Sequence, residues 1–394
     1  MIRRVAFVSV HSSPLATPGI GDAGGMNVYV DSLARTLAAR DIVVDVFTRR
    51  VDPLAPDETE VEPGYAVIQI DASGADRADM IGSFSEGVAK WVTRNHVRYD
   101  VIHSHYWLSG WAGMLLSDLL EVPLAISFHT LGRVKESART PGEPRESLVR
   151  IAAETEVVAR AGCVVASTQA DATELLEHYQ AAPERLCVSP PGVDHAVFSP
   201  GDRAEARRRL GLADGPLVAV VGRIQPLKGV SVAISAIGLL PQAVLLIVGG
   251  PSGSEGTAEL ARLRRLADDV ATGRVQFHPA IPHGRVVDVY RAADVVAVPS
   301  RSESFGLVAA EAQAVGTPVV AARVGGLSYT VVDGISGALV SGDDPAHWAA
   351  AFAAILDDPV AAARLSAGAL DHARTFSWEA TADRLLELYG GMVA

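Results

Sequence analysis

Cysteine is nearly absent from this chain, and long apolar runs are missing. Only two cysteines, Cys163 and Cys187, occur among 394 residues, so the sequence predicts neither a disulfide framework nor a cysteine-rich zinc site and favours a reducing cytoplasm. The apolar residues 5–10 stop at His11, and no later run reaches the ~18 residues that a membrane span needs. We therefore expect no signal peptide and no membrane span.

Basic residues are fewer than acidic residues, which limits the kinds of molecule that this protein is expected to bind. The chain carries 34 Lys and Arg against 46 Asp and Glu, a formal net charge of -12. A surface of this sign repels nucleic acid, so we expect no nucleic-acid partner. The apolar fraction of 49% is ordinary for a globular protein, and 394 residues predict two domains rather than one.

Several catalytic signatures are missing as well. No Gly-Lys-Ser or Gly-Lys-Thr occurs, which disfavours a P-loop ATPase, and no Gly-x-Ser-x-Gly is present for a serine hydrolase. The chain lacks Asp-x-Asp, the carboxylate pair expected where a metal clamps a diphosphate. His103 and His105 form a His-x-His, but no neighbouring Asp, Glu or Cys pattern completes a metal site. We expect no bound metal.

Short runs rich in Val, Ile and Ala recur along the chain, separated by stretches long enough for helices. This pattern predicts an α/β fold with parallel strands buried on both faces. The predicted strands cover residues 5–10, 43–47, 66–70, 101–104, 123–129 and 163–167, and then 217–222, 243–248, 275–277, 295–299, 318–321 and 338–340. Helices are predicted at 27–39 and 146–160, and an exposed acidic loop at 51–64.

The restart of this pattern predicts two tandem α/β domains. Residues 189–202 are rich in proline and glycine, which interrupt both helix and strand, so the boundary lies near residue 200. We expect an N-terminal domain over 1–198 and a C-terminal domain over 199–376. The tail, 377–394, keeps apolar residues at helical spacing and is expected to pack back on the N-terminal domain.

Two segments that follow predicted strands suit an anionic ligand. Gly24 and Gly25 precede the first helix, so backbone N–H groups at its positive end can face an anion. Arg223 and Lys228 follow the first strand of the second series, at the edge where open parallel sheets bind ligands. Two cations there suit a diphosphate whose charge grows as it leaves. The alternatives are a glycine-rich connection without a ligand and a solvated pair of surface cations.

A third segment, residues 300–311, contains two carboxylates that can accept hydrogen bonds from sugar or ribose hydroxyls. Glu303 and Glu311 are eight residues apart, a little over two helical turns, so we expect them along one side of a helix start. The alternatives are a helix cap at Glu303 and a solvated side chain at Glu311.

Taken together, these segments resemble the retaining GT-B glycosyltransferases, the large family that includes sucrose synthases. The resemblance spans nearly the whole chain and is carried, in chain order, by Gly24, Gly25, His129, Arg223, Lys228, Glu303, Ser304, Phe305, Gly306 and Glu311. It implies two Rossmann-like domains facing an interdomain cleft. Residues 21–30, 103–110 and 375–378 look most like the inositol-phosphate N-acetylglucosaminyltransferases of mycothiol biosynthesis.

The resemblance implies roles on the donor side. Arg223 and Lys228 would bind the donor diphosphate, with Gly24 and Gly25 at the helix end. Glu311 would bind the nucleotide ribose. The other implied sugar contacts are Glu303 with the neighbouring Ser304, Phe305 and Gly306, and His129 on the transferred sugar. Arg223, Lys228, His129 and Glu303 would be catalytic in a metal-independent, front-face reaction that needs no cofactor.

The resemblance also implies an acceptor site and a reaction. Asn27 would meet the cyclitol hydroxyls, while Tyr106, Thr130 and Arg150 would hold the acceptor phosphate. The implied reaction moves N-acetylglucosamine from UDP-N-acetylglucosamine to 1D-myo-inositol 3-phosphate, in a cytoplasmic enzyme that we expect to form a homodimer.

One departure leaves the acceptor open. Residues 70–79 contain no lysine, although that subfamily supplies one to the acceptor phosphate, and Arg77 is the candidate replacement beside Asp76 and Asp79. An antibiotic-pathway enzyme that uses another nucleotide sugar and an aminocyclitol or thiol acceptor fits the same framework, and a sucrose-phosphate synthase-like enzyme fits it less well.

Two other classes of protein fit the sequence less well. A Rossmann dehydrogenase is disfavoured because the glycines do not have the spacing of the dinucleotide-binding fingerprint. The carboxylate expected ~20 residues after that fingerprint has only Asp41 and Asp45 as candidates, and neither is at a convincing position. A non-catalytic sugar-nucleotide sensor is disfavoured because it would not need the cations that stabilise a leaving group.

Overall fold

The computed structural model describes residues 2–139, 143–253 and 255–393. These residues form 14 strands and 15 α-helices that divide into two compact units. The first unit comprises Met1–Ala16, Met26–Pro190 and Trp378–Ala394, and the second comprises Thr17–Gly25 and Pro191–Ser377. Each unit is a mainly parallel sheet with helices, so the predicted α/β class is confirmed.

The sheet of the first unit has eight strands in the order β3-β4-β2-β1-β5-β6-β7-β8. The strands are β1 (Arg4–Val8), β2 (Val43–Arg49), β3 (Glu58–Glu62), β4 (Tyr65–Ile70), β5 (Val101–His105), β6 (Leu124–Ser127), β7 (Cys163–Ala166) and β8 (Leu186–Val188). At its centre, Val5 is in register with Val44 of β2 and Val101 of β5. All pairs are parallel except β3 with β4.

Six helices follow the strands of this unit in chain order. They are α1 (Gly25–Ala38), α2 (Arg77–Arg94), α3 (Trp107–Leu120), α4 (Gly132–Ser137), α5 (Leu148–Arg160) and α6 (Gln169–Tyr179). Short polar side chains cap the N-termini of α2 and α6. The Asp76 side chain accepts a hydrogen bond from the N–H of Asp79, and the Thr168 side chain accepts one from the N–H of Asp171. Apolar faces of these helices cover the sheet, as Leu33 and Leu37 of α1 do with no exposed surface.

Two edge strands differ from the sequence predictions. Residues 51–64 were predicted to be an exposed loop, but strand β3 lies within them and pairs antiparallel with β4. Glu58 and Glu60 on β3 place charge on this edge, which explains why the acidic segment resembled a loop. The short strand β8 at the opposite edge was not predicted, since it has only three residues.

The second unit contains a fully parallel six-stranded sheet in the order β11-β10-β9-β12-β13-β14. Its strands are β9 (Leu217–Val221), β10 (Val244–Val248), β11 (Val275–His278), β12 (Val295–Val298), β13 (Val319–Ala322) and β14 (Gly337–Val340). Central strand residues such as Val218, Val295 and Val296 have no exposed surface, as expected for strands covered on both faces.

Eight helices accompany this sheet, and one more ends the chain. They are α7 (Arg203–Leu210), α8 (Val230–Gly238), α9 (Gly256–Val270), α10 (Val286–Ala292), α11 (Leu307–Ala314), α12 (Leu327–Thr330), α13 (Pro345–Leu356) and α14 (Pro359–Ala373), followed by α15 (Trp378–Met392). Short 3-10 turns lie at Pro183–Arg185, Pro226–Lys228 and His283–Arg285. Across the described ranges, every helix is too short or too polar to traverse a bilayer.

The last helix, α15, belongs to the first unit. Its Thr381 hydroxyl donates to the carbonyl of Pro190 at 2.7 Å, and its Tyr389 hydroxyl lies 2.5 Å from Nδ1 of His103 on β5. Tyr389 and His103 are both fully buried. The chain therefore passes through the second unit and returns to complete the core of the first.

Candidate active site

Arg223 lies just after the carboxyl end of β9, close to Gly24, the residue before α1. Its Nη1 donates to the carbonyl of Asp22 and to Oγ of Ser252, both at 3.4 Å. A Cβ atom on Gly24 would stand only 3.1 Å from Nε of Arg223, so the backbone approaches the guanidinium closely because residue 24 has no side chain. Helix α1 was predicted to begin at residue 27, after the glycine pair, but it begins two residues earlier, at Gly25.

Lys228 is held in a tight turn against the end of β12. Gly229, with φ +62°, would place a Cβ 2.0 Å from the carbonyl oxygen of Pro299, so only glycine allows this approach. The N–H of Arg301 donates to the carbonyl of Leu227 at 2.9 Å. These two contacts join the loop after β9 to the loop after β12 and place the Lys228 and Glu303 side chains together.

Glu303 forms an ion pair with Lys228 in which Nζ donates to Oε1. The hydroxyl of Ser300 donates to the same oxygen at 2.9 Å. The side chains of Lys228 and Glu303 keep 25% and 18% of their surface exposed, so both remain accessible to a ligand. The pair therefore combines a cation and a carboxylate at the carboxyl ends of two neighbouring strands.

The two predicted carboxylates do not share a helix, which corrects the prediction that both lie along one helix start. Helix α11 begins only at Leu307 because Gly306, in the left-handed region at φ +97°, precedes it. Glu303 therefore lies in the loop before the helix. Ser304 is in the same loop, whereas Phe305 is buried in the core against Phe376, with ring centroids 5.2 Å apart.

Glu311 is a buried carboxylate on α11 with two hydrogen-bond donors from one neighbouring segment. Nε2 of His283 donates to Oε1 at 2.7 Å, and the hydroxyl of Tyr290 donates to Oε2 at 2.8 Å. Burial raises the pKa of Tyr290 well above its usual value, so its hydroxyl stays protonated as a donor. Neither partner was predicted, because nothing in their sequence spacing connects them to residue 311.

His129 lies in the first unit, just after β6, and is partly buried beside other rings. Its φ of +59° is uncommon for a residue with a side chain. Its Nε2 is 3.2 Å from Nδ1 of His105, and the two rings stack at 5.4 Å. Burial lowers the pKa of His129 to about 3, so the imidazole is neutral at physiological pH.

His103 belongs to the same buried group of rings. Its Nδ1 contacts the hydroxyl of Tyr389, and its Nε2 lies 2.9 Å from Oγ of Ser127. Burial lowers its pKa to about 3 as well. Within the described residues, no group of three or more His, Cys, Asp or Glu side chains is arranged to hold a metal ion.

Tyr106, Thr130 and Arg150 are brought together in the first unit, as a common binding role would require. Nη2 of Arg150 donates to the carbonyl of Thr130 at 3.0 Å and to its Oγ1 at 3.1 Å, and Cζ lies 5.2 Å from the centroid of the Tyr106 ring. Arg150 also donates to Glu154 at 2.7 Å and to Glu146 at 3.2 Å. The buried guanidinium is thus fixed by two carboxylates.

Asn27, the other residue assigned to the acceptor, forms a separate hydrogen-bonded group. Its Nδ2 donates to Oγ of Ser12 at 2.7 Å and to the carbonyl of Ser13 at 2.6 Å. The side chain is 1% exposed. These bonds fix the amide of α1 against the loop that follows β1.

Arg77 stands at the first position of α2. Its Cζ lies 5.8 Å from the centroid of the Trp107 ring, and Trp107 directly follows Tyr106 in the chain. The Arg77 residue is exposed, and the preceding Asp76 is engaged as the helix cap. The structure thus places a solvent-accessible cation next to the Tyr106 segment.

The sequence patterns of two known families cover most of the chain. "Glycosyltransferase Family 4" matches residues 23–197, and "Glycosyl transferases group 1" matches residues 202–371. A D-inositol 3-phosphate glycosyltransferase of Mycolicibacterium vanbaalenii is 48% identical over 410 residues, covering 100% of this chain and 90% of that protein. One from Thermobispora bispora is 47% identical and covers 98% of this chain and 94% of that protein.

The structural similarity to a solved protein covers nearly the whole chain. Sucrose-phosphate synthase from Thermosynechococcus elongatus superimposes with a TM-score of 0.91 at 34% identity, covering 99% of this chain and 98% of that one. The likeness in sequence and in structure therefore includes both units.

Proposed function

Because this chain belongs to the family of GT-B glycosyltransferases, we propose that it transfers N-acetylglucosamine from UDP-N-acetylglucosamine to 1D-myo-inositol 3-phosphate with retention of anomeric configuration. The observation that carries this proposal is the pair of cations after β9, where Arg223 lies close to Gly24 and donates to the carbonyl of Asp22, and Lys228 is paired with Glu303. This is the charge distribution that a departing nucleoside diphosphate requires.

On the donor side, we assign the diphosphate to Arg223 and Lys228. The planar guanidinium can bind two phosphate oxygens at once, and the lysine supplies a point charge. Gly24 and Gly25 belong to the same unit as these two cations, and their backbone N–H groups would face the phosphate oxygens. Glu303 would accept hydrogen bonds from the sugar hydroxyls and Glu311 from the ribose hydroxyls.

The chemical step follows from this charge distribution. As the bond between the anomeric carbon and the diphosphate oxygen breaks, the sugar becomes oxocarbenium-like and the diphosphate gains negative charge, which Arg223 and Lys228 stabilise more strongly in the transition state than in the ground state. The acceptor oxygen bonds to the anomeric carbon on the face that the diphosphate leaves. Its proton passes to a diphosphate oxygen. No enzymic nucleophile is needed.

His129 would contact the transferred sugar. Burial keeps its imidazole neutral, with a pKa of about 3, so it acts through hydrogen bonding rather than as a cation. Its contact with His105 directs the ring. A neutral ring is compatible with a positively charged oxocarbenium-like sugar, whereas an imidazolium would repel it.

The acceptor assignment is supported by near-half identity along the whole chain to relatives named D-inositol 3-phosphate glycosyltransferase. Thr130 and Arg150, which are already in contact, would hold the phosphate together with Tyr106. We assign Arg77 as the exposed cation that replaces the lysine missing from residues 70–79. Asn27 would meet the cyclitol hydroxyls.

Two measurements test these assignments. The anomeric proton coupling of the product, measured by NMR, should show the same configuration as the donor, and an inverted product would contradict the front-face reaction. The Arg77→Ala variant should raise KM for inositol 3-phosphate roughly tenfold, the effect of one lost charge-assisted contact, while kcat changes little. An unchanged KM would remove Arg77 from the acceptor site.

A further inference from the structure

Glu311 is a buried carboxylate of the second unit. Glu311 is 5% exposed, and both of its carboxylate oxygens accept hydrogen bonds, Oε1 from His283 and Oε2 from Tyr290. A buried carboxylate needs such partners, because an unpaired buried charge is costly. The two donors come from one segment of the chain, since the 3-10 turn His283–Arg285 leads directly into α10.

Each carboxylate oxygen can accept about two hydrogen bonds. His283 uses one acceptor position on Oε1, and Tyr290 uses one on Oε2. One position on each oxygen therefore remains, and the two positions are separated by the width of a carboxylate. Two vicinal hydroxyl groups, as on a ribose, are spaced to donate to such a pair.

The two donors differ in how far they are enclosed. Tyr290 has no exposed surface, whereas the side chain of His283 remains 30% exposed and its ring centroid lies 5.0 Å from that of Phe198. His283 can donate from Nε2 either as the neutral tautomer that carries the proton there or as the imidazolium. The Glu311 carboxylate is thus held from a fixed, buried side and from a solvent-accessible side.

We infer that His283 and Tyr290 are positioning residues that orient the Glu311 carboxylate toward the vicinal hydroxyls of the nucleotide ribose, and so set the preference of this site for ribonucleotides. The inference rests on the proposed function, in which Glu311 binds the ribose. Neither residue need touch the nucleotide. Their effect passes through the direction in which Glu311 presents its remaining acceptor positions.

A comparison of two ligands separates this role from general support of the fold. We would measure the Kd of UDP and of 2′,3′-dideoxyuridine diphosphate by calorimetry, for the unsubstituted protein and for His283→Ala, His283→Gln and Tyr290→Phe. The dideoxy ligand lacks both hydroxyls, so misdirection of Glu311 cannot affect it. The control is His278→Ala, which removes an exposed histidine at the end of β11 in the same unit.

The inference predicts that His283→Ala and Tyr290→Phe weaken UDP binding roughly tenfold, the usual effect of losing one hydrogen bond to a charged group. Binding of the dideoxy ligand should change less than about twofold, as should both ligands with His278→Ala. The amide of His283→Gln can donate in place of Nε2 and should restore UDP binding to within about threefold of the unsubstituted protein.

Other outcomes contradict the account at different points. Equal losses for both ligands, or no loss for UDP, would overturn the positioning role while the donor assignment stands. If the unsubstituted protein bound both ligands equally, Glu311 would not bind the ribose and the inference would fail. Absence of UDP binding would instead contradict the proposed donor. Should Tyr290→Phe not fold, the contrast between His283→Ala and His283→Gln decides the question.

Discussion

Lys228 and Glu303 form an ion pair that links the loop after β9 to the loop after β12, with Nζ of the lysine donating to Oε1 of the carboxylate. The two side chains remain partly exposed, so the pair is accessible to the proposed donor. A lysine held in this way is already positioned before the leaving group gains charge. Such preorganisation is worth more to the transition state than to the bound substrate.

The Lys228→Ala variant should therefore lose turnover more than affinity. We expect kcat to fall about 10²- to 10³-fold, as when one preorganised charge-stabilising donor is removed. The Kd of UDP should rise less than about tenfold. Steady-state kinetics and calorimetry measure the two quantities separately.

Lys90→Ala is the matched control, because Lys90 pairs with Glu86 on the exposed face of α2. It should leave both kcat and the Kd of UDP unchanged. An unchanged kcat in Lys228→Ala would remove that lysine from the mechanism.

Gly24→Ala tests the close approach of the chain to Arg223. The added Cβ would lie 3.1 Å from Nε, so the guanidinium must shift by a few tenths of an ångström from the position proposed to hold the diphosphate. We expect the Kd of UDP to rise roughly five- to tenfold, because bidentate contacts depend strongly on geometry. Thermal stability should hardly change.

Gly82→Ala, within α2, provides the comparison, since a Cβ there meets nothing within 4 Å. It should leave UDP affinity unchanged and slightly raise stability, as alanine is the better helix former. If Gly24→Ala bound UDP as tightly as Gly82→Ala, the contact between residue 24 and Arg223 would be irrelevant to donor binding.

Much of the proposed donor site follows from local sequence. The strands of the second unit could be predicted to within one or two residues because fully buried parallel strands are short continuous runs of Val, Ile, Leu and Ala. Arg223 and Lys228 could be placed at the ligand-facing edge because they come directly after such a run. The position of a cation after a strand is a local property of the chain.

What could not be predicted depends on tertiary contacts or on backbone conformation. Glu303 was assigned to a helix because spacing alone cannot show that Gly306 adopts φ +97° and delays the helix to Leu307. His283 and Tyr290 lie 28 and 21 residues from Glu311 and meet it only through packing of α10 against α11. Strand β3 was mistaken for a loop because an edge strand need not carry an apolar run.

Arg150 illustrates a residue whose proposed binding role and structural role overlap. It and Glu154 are almost completely buried, and their side chains are joined at 2.7 Å. Arg150→Met would leave the carboxylate of Glu154 buried without its cation, at a cost of roughly 3 kcal/mol or more. At about 2–4 °C per kcal/mol, the thermal midpoint should fall by roughly 6 °C or more.

The double variant Arg150→Met/Glu154→Gln removes the stranded charge and should recover a large part of the midpoint, while activity with a phosphorylated acceptor stays low. Calorimetry measures the midpoint for all three proteins. A double variant as unstable as Arg150→Met would show that the uncompensated carboxylate is not the cause of the loss.

The buried histidines predict how stability depends on pH. Burial lowers the pKa of His103 and of His129 to about 3, against about 6.5 in the unfolded chain. Between these values the unfolded chain binds protons that the folded protein does not. Each histidine therefore contributes full stability above pH ~6.5 and loses it as the pH falls, by about 1.4 kcal/mol per pH unit.

Replacing one of these histidines isolates its contribution to the pH dependence of stability from that of other groups. Asp171 is one such group, because burial raises its pKa to about 6 and stability from this carboxyl therefore rises as the pH falls. The free energy of unfolding of His103→Asn, followed by denaturant titration from pH 4 to 6, should vary less steeply with pH than that of the unsubstituted protein, by about 1.4 kcal/mol per unit. Parallel curves would mean that His103 titrates normally in the folded state.

The most direct test of the account is a mass-resolved transfer assay with UDP-N-acetylglucosamine, in which inositol 3-phosphate is compared with free inositol and with a panel of aminocyclitols and thiols. The account predicts that the product is an N-acetylglucosaminyl inositol phosphate. Free inositol should give at least about tenfold less product, because it lacks the phosphate that Arg77, Tyr106, Thr130 and Arg150 are proposed to bind. Transfer to an aminocyclitol or thiol in preference to inositol 3-phosphate would contradict it.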